Sequence, residues 1–185
     1  MAMTFRSWFL LSFLCLCFIP MGWGAQASSP LMDSVRNQLK GKNFLKVSFD
    51  QEIKQEIFPE QPAKASGFIE FRKPKNLRWV YTSPEKKEIV FNSSGGFIIR
   101  GDEKEEIPNA RALGVEESFG FLWGELSLRQ FQVKDLDKSR VEIKPIHADK
   151  AQFERMIAKI ENSRIAEVQV FDRMGGESKI RFSYQ

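Results

Sequence analysis

Only two cysteines and one histidine occur in the 185 residues, and their scarcity removes whole classes of chemistry. Zinc hydrolase sites built on two or more histidine ligands are excluded, because His147 stands alone. His147 follows Pro145 in a segment that reads as a loop, and Glu70, Glu88 and Asp172 are scattered carboxylates with no visible pairing. No catalytic residue, metal ligand or cofactor is expected, and the chain reads as a non-enzyme. Excess charge of one sign is also lacking. The 28 Lys+Arg against 24 Asp+Glu leave +4, spread along the chain, which argues against a nucleic-acid partner. Hydrophobic residues at 42% and charged residues at 28% are ordinary globular usage.

The longest apolar run is Trp8 to Ile19, twelve residues, too short to span a bilayer. With Arg6 ahead of it, Pro20 and Gly22 breaking it, and the small residues of Ala25-Gln26-Ala27 after it, residues 1–27 read as a cleaved secretory signal peptide. Both cysteines, Cys15 and Cys17, fall inside that run, and bulky residues precede each, so no lipid-anchoring box is present. The mature chain, 28–185, is expected to be one domain without disulfides, held by its core alone.

Ser29-Pro30 is a helix start, and Leu31, Val35 and Leu39 recur at helical spacing until Gly41. From Phe44 the period changes to two, with Val47, Phe49, Gln51 and Ile53 on one face. Further strands read at 67–73, 77–81, 87–92 and 97–100, the last two joined around Ser93–Gly96. Residues 101–118 break the pattern and read as a connecting segment; 119–128 has the spacing of a second short helix. Strands resume at 131–133 and 141–143. Residues 149–161 fit helix and strand alike, and the continuing meander favours strand from about 153. Ala166, Val168 and Val170 alternate, Met174-Gly175-Gly176 turns, and Ile180, Phe182 and Tyr184 form the last strand. The expected fold is therefore mainly β with helices (α+β): one antiparallel sheet of about nine to eleven strands that must curl, covered by two helices.

One face of that sheet collects Phe49, Ile69, Phe71, Leu77, Trp79, Tyr81, Phe91, Phe97, Ile99 and Phe182, with Leu122 and Trp123 contributed by the second helix. A packed core is the plain reading of such a face. A cavity lined by rings and holding an apolar ligand is the sharper one.

Gly67 to Pro84, GFIEFRKPKNLRWVYTSP, resembles the outer-membrane lipoprotein carrier (LolA) family. So do Phe49-Asp50-Gln51, the passage from Leu122-Trp123-Gly124 to Phe131-Gln132-Val133, and the late hairpin Asp172-Arg173-Met174-Gly175-Gly176. The resemblance spans nearly all the mature chain in order. It implies an incomplete antiparallel β-barrel with a helical lid over a hydrophobic cavity. It implies a periplasmic carrier of lipoprotein acyl chains, loaded by an inner-membrane ABC transporter and unloaded by an outer-membrane acceptor; the chain is expected to be a monomer. Lys73 stands where the best-known members carry arginine in contact with the lid. The hairpin at 91–99 lacks their tryptophan and tyrosine, and the chain stops at Gln185 where they continue, so a shorter, divergent member is expected. A carrier of another lipid, glycolipid or pigment-like, or a lipid-sensing domain on the same fold, are the alternatives.

Overall fold

A computed structural model of the chain describes residues 29–55, 61–73, 76–108, 130–148 and 153–184. These hold one helix, α1 (Pro30–Gln38), and eleven strands. The strands are β1 (Phe44–Lys54), β2 (Ala63–Arg72), β3 (Asn76–Ser83), β4 (Lys87–Asn92), β5 (Gly95–Arg100), β6 (Glu103–Ile107), β7 (Phe131–Asp135), β8 (Arg140–Pro145), β9 (Arg155–Glu161), β10 (Arg164–Phe171) and β11 (Glu177–Tyr184). No described helix is long and apolar enough to cross a membrane.

All eleven strands form a single antiparallel sheet in the order β6-β5-β4-β3-β2-β1-β11-β10-β9-β8-β7. Two meanders are joined where β1 pairs with β11, Phe49 opposite Phe182. The outermost strands β6 and β7 are not paired with each other, so the barrel is incomplete. The expected architecture, a large antiparallel sheet with helical cover, is what the chain adopts.

Helix α1 starts as its sequence dictates. The Ser29 hydroxyl accepts from the Met32 N–H at 3.0 Å, and Pro30 takes the first helical position. Met32, Val35 and Leu39 are buried, and Gly41 at φ +82° supplies the left-handed residue that ends the segment. The buried side packs on β8 and β10. Nine residues are too few for a stable isolated helix, so docking on the sheet provides its stability.

Alternation gives the sheet two unlike faces. The inner face, on which α1 lies, carries Val47, Ile69, Val141, Ile143, Ala158, Ile165 and Val168, each almost wholly buried. The outer face is laced by charge. Lys46 pairs with Glu70 at 3.0 Å, Glu70 with Arg78 at 3.4 Å, and Arg78 with Glu88 at 2.7 Å, stepping across β1 to β4. The hydrogen bond from Lys46, chiefly, holds the Glu70 carboxyl below its ordinary range. These pairs are half exposed, so each adds little stability; they mark the solvent side.

Two expectations about local structure are corrected. Residues 103–107, read as part of a connecting segment, form the edge strand β6. Their charged run, Glu-Lys-Glu-Glu, hid a strand by composition, but an edge strand facing water tolerates and profits from such charge. The β4–β5 hairpin turns through Ser93–Ser94, so Asn92 lies opposite Gly95 and Val90 opposite Phe97. Directly opposite residues share a face. Phe97 and Ile99 therefore lie on the outer face with Val90 and Glu88, while Ile98 and Gly96 join Ile89 and Phe91 inside. The expected second helix and the segment 149–152 lie outside the described residues; the strand expected from about 153 is β9.

Candidate lipid-binding site

The large aromatic side chains of the inner face lie mostly on β1 to β4 and β11. Register builds that face row by row. Phe71 lies opposite Leu45 and Leu77, and Leu77 opposite Phe91. Ile69 lies opposite Val47 and Trp79, and Trp79 opposite Ile89. Phe49 lies opposite Gly67 on one side and Phe182 on the other.

Gly67 sits at a bulge, where pairing jumps from Ser66–Ser83 to Gly67–Tyr81. A Cβ there would lie 1.8 Å from the Val80 carbonyl oxygen. Only glycine permits this approach of β2 and β3, and it leaves room over its backbone for the rings of its neighbours. Phe49 meets Trp79 edge-on at 5.4 Å and Tyr81 edge-on at 5.3 Å, while Trp79 and Tyr81 stack at 5.9 Å. The three rings form one aromatic cluster at the middle of the inner face.

Polar groups border the cluster. The Tyr81 hydroxyl donates to Gln51 Oε1 at 3.3 Å, and Gln51 Nε2 donates to Ser178 Oγ at 2.8 Å. Burial pushes the Tyr81 phenol up to about 12, so it stays a neutral donor at any physiological pH. Lys87, opposite Tyr81 in the β3–β4 pairing, places its Nζ 4.6 Å from the centre of the Tyr81 ring.

The expected lining residues thus divide. Phe49, Ile69, Phe71, Leu77, Trp79, Tyr81, Phe91 and Phe182 come together on the inner face. Phe97 and Ile99 do not, for the reason of register given above. Leu122 and Trp123 lie outside the described residues. Lys73, expected at the lid, follows the last residue of β2, and its N–H donates to the Asn43 carbonyl at 2.9 Å, which ties it to the segment leaving α1.

Sequence reasoning missed the anchor of α1. The Ser29 hydroxyl donates to Asp135 Oδ1, and the Leu31 N–H reaches Asp135 Oδ2 at 3.5 Å. Asp135 ends the edge strand β7, more than a hundred residues away, and no local pattern announces such a pair. The late hairpin motif has a plain structural basis. Asp172 accepts from the Met174 and Gly176 N–H groups at 2.7 and 2.9 Å, and a Cβ on Gly176 would strike its carboxylate. Among the described residues no three His, Cys, Asp or Glu side chains group as a metal site.

The sequence model of the family described as outer membrane lipoprotein carrier protein LolA matches residues 40–185, from the end of α1 through all eleven strands. The chain belongs to this family. Among curated LolA relatives, an outer-membrane lipoprotein carrier protein of Francisella philomiragia is 28% identical over 118 residues. That match spans 61% of this chain and 57% of the relative, little more than half its length. One from Methylococcus capsulatus is 25% identical over 190 residues, covering 97% of this chain and 86% of the relative. Among solved structures, a LolA superfamily protein from Nitrosomonas europaea has a TM-score of 0.45 at 7% identity, covering 84% of this chain and 91% of that one. A protein of the family DUF1329 from Desulfovibrio piger has a TM-score of 0.47 at 10% identity, covering 83% and 90%.

Proposed function

We propose that the chain is a periplasmic carrier that houses lipoprotein acyl chains against its inner face and moves them from the inner toward the outer membrane. The observation that carries this reading is the aromatic inner face of an open sheet, in a member of the lipoprotein carrier family. A triacylated anchor has roughly 45 methylenes, and at about 0.8 kcal/mol each its release into water would cost tens of kcal/mol. Transfer through an aqueous space therefore needs a protein surface that matches the bilayer in polarity. The rings of Phe49, Trp79, Tyr81 and Phe91 are large apolar groups with few polar demands, and since they are wholly or partly buried, an acyl chain reaches them by displacing what covers them. Such a surface makes transfer nearly neutral in free energy, so a donor that consumes ATP drives loading and an acceptor with slightly higher affinity drives release.

On this reading the donor is an inner-membrane ABC transporter and the acceptor an outer-membrane receptor. Residues 1–27 direct secretion, Lys73 contacts the lid, and no step of chemistry is catalysed. The test is direct: detergent-free protein is mixed with a purified triacylated lipoprotein and the complex is separated by size exclusion. A soluble complex with reduced lipoprotein aggregation is the expected result. Aggregation unchanged by an excess of the protein refutes the reading.

A further inference from the structure

A cavity of about 320 Å³ lies where the C-terminal end of α1 meets the β9–β10 turn and the end of β11, lined by Gln38, Glu161, Asn162, Arg164, Phe182 and Tyr184. Its volume is within the range of small-ligand sites. Its lining is amphipathic: Phe182, which also belongs to the inner face opposite Phe49, stands beside a polar lip.

The lip is pre-organised around one cation. Asn162 and Ser163 both have positive φ, +50° and +57°, giving a two-residue hairpin turn that fixes where Arg164 begins β10. The Arg164 guanidinium lies over the Tyr184 ring at 5.1 Å. That ring is itself fixed, because its hydroxyl donates to the Ile165 carbonyl at 3.0 Å. A guanidinium resting over an aromatic ring spends none of its five N–H donors on that contact. The carboxylate that lines the same cavity, Glu161, is taken by Lys159 at 2.7 Å. Among the described residues Arg164 forms no ion pair, so the cavity offers a planar, positively charged fork next to an apolar wall. That combination matches a carboxylate or phosphate group joined to a hydrocarbon chain.

We propose that this cavity is a binding site for the anionic head of an acyl amphiphile, with Arg164 as its ligand and Phe182 and Tyr184 against the first methylenes. The inference rests on the reading of the chain as an acyl carrier and extends it to single amphiphiles with an anionic head, a group that a lipoprotein's triacylated anchor does not itself carry. The test is calorimetric titration of the detergent-free chain with dodecanoate, dodecyl phosphate, dodecyl maltoside and inorganic phosphate, each below its micelle concentration. The two anionic amphiphiles are expected to bind at least about tenfold more tightly than the maltoside. Arg164→Gln erases that preference and leaves maltoside affinity unchanged; Arg164→Lys, a point charge without the fork, keeps part of it. An undiminished preference in Arg164→Gln overturns the inference and leaves the carrier reading standing. Inorganic phosphate binding as tightly as dodecyl phosphate also overturns it, since the site is then one for free anions. Failure of the anionic amphiphiles to bind overturns the inference, while the carrier reading stands or falls separately on the lipoprotein aggregation assay.

Discussion

Replacing Phe49 and Phe97 separately by alanine measures which face of the sheet is the working one. Phe49 is 2% exposed, lies opposite Phe182, and touches the rings of Trp79 and Tyr81 edge-on. Removing a ring so enclosed loses its transfer free energy and leaves a cavity, together about 3–5 kcal/mol. Phe97 is half-buried on the outer face, under the Lys104 ammonium at 3.8 Å. Its loss forfeits part of a transfer term and one exposed cation–π contact, about 1 kcal/mol. Urea unfolding with linear extrapolation reads both, with slopes unchanged if the denatured state is unaltered. A cycle pairing Phe49→Ala with Tyr81→Leu is expected to show coupling of about 0.5–1.5 kcal/mol. Acyl-chain affinity should change in Phe49→Ala and stay as it was in Phe97→Ala. Equal losses of stability for the two single variants, or lost lipid affinity in Phe97→Ala, refute the face assignment and the register on which it rests.

Gly67→Ala should cost at least about 1–3 kcal/mol, since the obstructing atom is a strand carbonyl and cannot turn aside; a neutral result in the same unfolding assay would show that β2 and β3 are farther apart. Ser29→Ala should remove the cap of α1 and its tie to Asp135, lowering stability by about 0.5–2 kcal/mol and speeding amide exchange in α1 selectively. Both tyrosines of the chain are raised to about 12 by burial, so an absorbance titration should show no phenolate step near 10 in the folded protein. Because the folded value lies above the unfolded one, their contribution is complete below pH 10 and is lost as pH rises toward 12. Asp137 is held down to about 2, first by the Ser139 N–H and next by Arg140, so its carboxyl resonance should titrate near pH 2. Its contribution has the opposite sense: present above its ordinary value near 4 and lost as pH falls through about 2.

How much of this was legible in the sequence depended on how far apart the interacting residues lie. The start and stop of α1, the alternation of β1 and the turn at Gly175 are local rules, and the structure follows them, while the turn after Asn92 is two residues tighter than its Ser93–Gly96 run suggests. Phe49, Trp79 and Tyr81 could be placed on one face because each strand's own period reports it. Phe97 and Ile99 were misplaced because face assignment across a hairpin depends on the exchange of odd for even positions through its turn, which apolar residues on both faces of β5 conceal. The edge strand β6 was hidden by charge that suits its exposed position. The Asp135 anchor and the Arg164 cavity depend on residues brought together by the whole sheet, and no spacing in the chain announces them.

The central claim, that acyl chains lie against the aromatic cluster of the inner face, is tested most directly by fluorescence quenching at Trp79. A chain produced without residues 1–27 and carrying Trp123→Phe keeps Trp79 as its sole indole. Titration with an acyl lipid brominated along its chain is predicted to quench that emission saturably, with the non-brominated lipid competing. Bound brominated lipid that leaves the emission of Trp79 unchanged contradicts the account.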